Sequence, residues 1–192
     1  MNLLARVKAI LVDPMAAWPQ IEKDAGDPAL LLRGYVAALA LIPPLASFVG
    51  ATLIGVVMPN GAIARASLFN GAAGAIFGYV MSCATLLVLG LIIDLSAPLF
   101  GGRRDFNNAF KLAVYSFTPV WIAGIFLVLP GLHFLVLMGC YGAYLLWLGL
   151  PRLTKTPEDQ TANFTAVIIA SALGLLYIAA LAQRLVFGTP GL

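Results

Sequence analysis

Charge is scarce in this sequence. Asp, Glu, Lys and Arg make up only 10% of its 192 residues, against about 25% in an average soluble domain. A chain so poor in charge cannot cover a water-facing surface, which excludes a cytosolic enzyme and a secreted scaffold. Histidine is reduced to His133, directly after the Leu129-Pro130-Gly131-Leu132 turn, and no His/Asp/Ser or His/Cys set can be assembled around one imidazole. The two cysteines, Cys83 and Cys140, lie far apart inside apolar runs without CxxC spacing. They read as packing residues rather than as a disulfide or metal pair. There is no HExxH helix, no glycine-rich phosphate loop after a strand, and no pair of carboxylates or basic residues within an apolar run. No catalytic residue, metal site or cofactor is therefore expected.

What the sequence has instead is apolar length. Hydrophobic residues make up 61%, mean hydropathy is +0.98, and the runs approach the ~20 residues needed to cross a bilayer. Five spanning helices are predicted, roughly Leu31 to Val57, Gly71 to Leu95, Leu112 to just before Pro130, Leu132 to Leu150, and Ala166 to Val186. No repeated period-two pattern of the kind a membrane barrel requires is present. The fold class expected is all-α, a polytopic integral membrane protein. It divides into an amphipathic lead-in (1–30), a five-helix region (31–187) and a short tail (188–192). The opening residues, broken by Arg6 and Lys8, do not read as a cleavable signal.

The loops set an orientation. Nine Lys and Arg fall before the first span or in the second–third and fourth–fifth connections; only Arg65 and Arg184 fall on the other side. By the positive-inside rule the N-terminus is cytoplasmic and the C-terminus extracytoplasmic, in a cell inner membrane. The net charge of +3 is accounted for by these loops and by anionic headgroups, so no nucleic-acid partner is expected.

Turn chemistry adds detail. Leu129-Pro130-Gly131-Leu132 should join spans three and four as a tight hairpin, and Gly101-Gly102 should reverse the chain between spans two and three. Pro43-Pro44 should kink the first span. In the lead-in, Leu3, Leu4, Val7, Ile10 and Leu11 share one helical face, with Arg6 and Lys8 at its edges. This predicts an interfacial helix with the basic side chains reaching outward and Trp18 at headgroup depth. Pro19 should interrupt the second short helix. The segment is either a membrane-surface foot, a partner-binding helix, or a lead-in packed under the bundle.

Candidate contact and ligand residues follow from type and spacing. Gly74 and Gly78 form a GxxxG, and Gly139 and Gly142 lie close together, as helix-contact positions within the chain or between copies. Tyr115 and Thr118 in span three, with Tyr141 and Tyr144 in span four, form a polar cluster that is structural or lines a ligand pocket. Asp94 follows an apolar run at a helix C-terminus, where its charge opposes the macrodipole and needs a partner. Symmetry about Gly101-Gly102 predicts a pair with Lys111, with Tyr115 as a third member. The alternatives are Arg103 or Arg104 in the loop, or wet headgroup space.

Three longer strings carry a resemblance: GYVAALALIPPLASFVG (34–50), LFGGRRDFNNAFKLAVYSFTPVWIAGIF (99–126) and YGAYLLWLGLPRLTKTP (141–157). With the Pro14, Trp18, Ile21, Glu22 lead-in, the chain resembles the bacterial branch of the Yip (Ypt-interacting protein) domain family. The resemblance implies five spans and a cytosolic N-terminus. Eukaryotic members are associated with small GTPases, early secretory traffic and membrane shaping. They carry longer N-terminal regions than residues 1–30 here, so GTPase binding is not carried over. The expected function is non-enzymatic, membrane-organising or partner-binding, with the bilayer, other membrane proteins or a second copy as partners. The alternative is a small oligomeric transporter or channel for an ion, small solute or lipid.

Overall fold

The computed structural model describes residues 2–24, 27–57 and 61–187; the expected tail at 188–192 lies outside them. Two short helices come first, α1 (Leu3–Val12) and α2 (Pro14–Lys23). Five helices long and apolar enough to cross a membrane follow: Pro28–Ile54, Leu68–Phe100, Phe106–Val128, Gly131–Thr154 and Glu158–Phe187. A two-residue antiparallel ladder, Val56–Val57 with Ile63–Ala64, joins the first two. The protein is an all-α polytopic membrane protein.

Local sequence explains where the helices start. The side chains of Asp13, Asp27, Ser67 and Asp105 accept the backbone N–H of Ala16, Ala29, Asn70 and Asn108 respectively, satisfying donors that have no partner within the helix. Pro14 and Pro28 occupy first-turn positions, where their missing N–H costs nothing. Gly101, with φ of 72°, makes the reversal between spans two and three. Leu132 N–H donates to Leu129 O at 2.9 Å, closing the hairpin between spans three and four.

The first span is broken as its proline pair predicts. Ala40 and Leu41 form a turn, and the helix restarts at Ile42 with Pro43 in its first turn. The breaks extend further than expected, with π-helical turns at Leu32–Val36 and Gly50–Ile54. Spans three and four tighten into 3-10 geometry at Gly124–Val128 and Pro130–Cys140 around their hairpin. The expected interruption at Pro19 is absent: α2 continues through it to Lys23. Proline there forgoes a single backbone bond, while packing of Trp18 and Ile21, both fully buried, holds the helix.

The third span is the hub. In its most apolar stretch 67% of residues are buried, against 17–33% in the other four spans. The second and fourth spans pack on it, the fifth packs on the second, and the lead-in lies against the third and fourth.

Candidate functional site

Polar residues concentrate where the lead-in meets the spans. A helix ending in a membrane protein leaves carbonyls that must find donors, and here the spans supply them. Lys111 Nζ donates to the backbone oxygens of Asp24 at 2.7 Å and Ile21 at 3.2 Å, and to Asn108 Oδ1 at 3.2 Å. The Tyr141 hydroxyl donates to Leu11 O at 3.2 Å, near the end of α1. Lys155 pairs with Glu22, and Arg6 pairs with Asp24. The hydrogen bond from Lys155 holds the Glu22 carboxyl below the ordinary carboxylate range, against the opposing effect of burial.

An aromatic stack fills the space behind these bonds. Trp18 meets Tyr115 edge-on at 6.4 Å between centroids, Tyr35 meets Tyr115 at 4.9 Å, and the Arg6 guanidinium lies 5.9 Å from the Tyr115 ring centre. The Tyr35 hydroxyl and Thr118 Oγ1 are 2.9 Å apart. Gly149 makes the fit possible: a Cβ there would lie 2.6 Å from the Trp18 ring and 2.7 Å from Leu112.

Several sequence expectations are corrected. Arg6 and Trp18 do not reach outward to headgroups; Trp18 is fully buried and Arg6 nearly so. Their helices present that face to spans three and four, and the aromatic seat there outweighs the interface. Lys8 is exposed as expected. Asp94 does not pair with Lys111. It accepts from Arg104 Nε at 3.2 Å and Nη2 at 3.0 Å, while Lys111 turns to α2. Matching depth about the Gly101-Gly102 turn did not place the two on facing sides, because the loop Gly101–Asp105 separates the helices and carries its own cation. Of the tyrosine cluster, Tyr115 and Thr118 are joined by Tyr35, which sequence spacing did not indicate. Tyr141 serves α1, and Tyr144 is exposed, 5.5 Å from the Tyr141 ring.

The glycine positions meet neighbours within the chain. Gly139 and Gly142 approach the span-three backbone at Val120 and Ser116. Gly74 and Gly78 face Gln183 of the fifth span, whose Nε2 donates to Gly74 O at 3.3 Å, and Gly78 also faces Pro44. These two glycines line a cleft of about 670 Å³ between the first, second and fifth spans, on the side away from the lead-in. Among the described residues no group of three His, Cys, Asp or Glu is placed to hold a metal ion.

Comparison with known proteins agrees with this architecture. The chain is 28% identical over 148 residues, 75% of each chain, to inner membrane protein YohC of Escherichia coli K12, and to its counterpart in strain CFT073 to the same extent. No solved structure matches. The Yip1 domain matches residues 8–181, nearly the whole chain, and the protein belongs to the Yip1 domain family.

Proposed function

We propose that this protein is a non-enzymatic organiser of the inner membrane, acting on the leaflet that receives its lead-in. One observation carries the reading: α1 and α2 are fastened to the spans by buried bonds yet leave Leu4, Val12 and Met15 outward, each at least 64% exposed. A helix pair held at that depth with apolar side chains facing away from the bundle adds cross-section to one leaflet only. The nine-to-two distribution of Lys and Arg supports the cytoplasmic leaflet. In this reading the lead-in is a rigid wedge, and its Lys8 and Lys23, with Arg33 at the start of the first span, meet anionic headgroups.

Reconstitution tests it. Purified protein in phosphatidylethanolamine–phosphatidylglycerol vesicles should lower mean vesicle diameter or draw out tubules, as seen by electron microscopy. The triple variant Leu4→Ser, Val12→Ser, Met15→Ser should insert and fold but leave vesicle size unchanged. Equal remodelling by both proteins removes the wedge. Solute or ion flux through the same vesicles would favour the transporter reading instead.

A further inference from the structure

The cleft on the side away from the lead-in is lined by two basic side chains and, among the described residues, by no acidic one. All eight Asp and Glu residues fall at positions 13–27, 94, 105 and 158–159, on the lead-in side. The two basic residues of the opposite side, Arg65 and Arg184, both line this one cleft. Arg65 Nε donates to Ile54 O at 3.3 Å, and the residue is exposed. The Arg184 side chain, on the fifth span, makes no hydrogen bond or ion pair with the described residues. Two arginines from different elements thus line one cleft, with no Asp or Glu among its described lining residues.

Further in, the character changes. Past Ser67 and Asn70 the cleft runs between Gly74, Gly78 and Pro44 to Met81, Phe117 and Trp121. Trp121 Nε1 donates to Ser82 Oγ at 3.2 Å, so the indole presents an apolar ring rather than a free donor. The proline break in span one and the small residues of span two together keep this space open. Its 670 Å³ lies within the range of ligand sites, about 300–1,000 Å³.

We propose that the cleft binds an anionic amphiphile: a phosphate bridged by Arg65 and Arg184 at the mouth, with an acyl chain laid along the apolar interior toward Trp121. Guanidinium forks match phosphate oxygens in a bidentate way, and a chain in the cleft replaces the packing its walls lack. The same headgroup chemistry is offered by a membrane phospholipid or by a soluble phosphate ester, and only the former brings the chain. This inference is independent of the wedge, which lies on the other side.

Trp121 reports on the site. The protein carries Trp147→Phe to remove a lipid-facing indole; Trp18, buried under the bundle, remains as background. It is reconstituted in phosphatidylcholine vesicles with increasing phosphatidylglycerol brominated on its acyl chains. Quenching should saturate at low mole fraction. Replacement of both arginines (Arg65→Gln with Arg184→Gln) should shift the midpoint by roughly thirtyfold, while Arg65→Lys with Arg184→Lys should largely retain it. Gly78→Leu, which fills the cleft without changing charge, should abolish the saturable phase. Inorganic phosphate at millimolar concentration should not restore fluorescence. Equal quenching by brominated phosphatidylcholine, no shift in the glutamine variant when the lysine variant is folded, or full reversal by inorganic phosphate would each overturn the proposal.

Discussion

Lys111 closes the end of a helix to which it does not belong. Its ammonium, 3% exposed as a residue, lies on span three, yet its bonds run to the backbone oxygens of Ile21 and Asp24 at the C-terminus of α2. A cation at that point satisfies unpaired carbonyls and complements the helix dipole together.

Removing it should free the lead-in. Lys111→Met leaves the Ile21 and Asp24 carbonyls without this donor, at a cost of about 1.5–3 kcal/mol for charged hydrogen bonds. A cysteine placed at Ala17, a buried position facing the bundle, should become labelled faster in this variant. Unchanged labelling would show that the aromatic seat alone retains α2.

The seat itself can be tested from either side. Trp18→Ala should cost about 3–5 kcal/mol as a large buried aromatic truncation. Gly149→Ala should also destabilise, because its methyl group would lie 2.6 Å from the indole. The two losses should not add, since with the indole gone the methyl has room on that side. Additive losses in detergent unfolding would mean that Gly149 acts through Leu112 alone.

Asp94 and Arg104 should show an ordered asymmetry. The Asp94 side chain is 8% exposed and that of Arg104 59%. Asp94→Asn leaves a solvated guanidinium and should be mild. Arg104→Ala strands a buried carboxylate and should cost more, about 1–3 kcal/mol. The reverse order in denaturant unfolding would contradict the geometry.

Acidification should loosen the join between α2 and the end of span four. The Glu22 carboxyl titrates lower in the folded protein than in the unfolded chain, chiefly through its Lys155 hydrogen bond. The stabilisation is therefore complete above the unfolded carboxylate pKa of about 4.3 and declines as pH falls through the lower folded value. Midpoint temperatures of wild type and Glu22→Gln should differ at neutral pH and converge in acid. A constant difference would show that protonation of Glu22 plays no part.

Hydropathy and turn residues were enough to read five spans, the hairpin at Leu129–Leu132 and the broken first span. These features are set by short-range chemistry: apolar length, proline without a donor, glycine at positive φ. The lead-in was harder. Its wheel shows an apolar face but does not say whether lipid or protein covers it, and Trp18 suits either. What decided the matter was Gly149, more than a hundred residues away, whose missing side chain makes room for the indole. Asp94 is marked by its sequence position as needing a partner, and Arg104 is among the alternatives that position offers. That Arg104 takes it, while Lys111 serves the α2 carbonyls, depends on how helices rotate about their axes, which depth along the chain does not determine.

The concentration of burial in span three has a consequence for biogenesis. This span carries Lys111, Tyr115, Ser116 and Thr118, all buried, and its hydropathy of 1.6 is well below the 2.4 of the second. Alone in hydrocarbon Lys111, Tyr115 and Thr118 would lack the partners that the lead-in and the first span provide. Synthesis delivers both of those before span three, and then the fourth, whose glycines close against Val120 and Ser116. The order of the chain is thus also an order of assembly, in which Lys111 and Thr118 of the central helix meet partners that have already emerged.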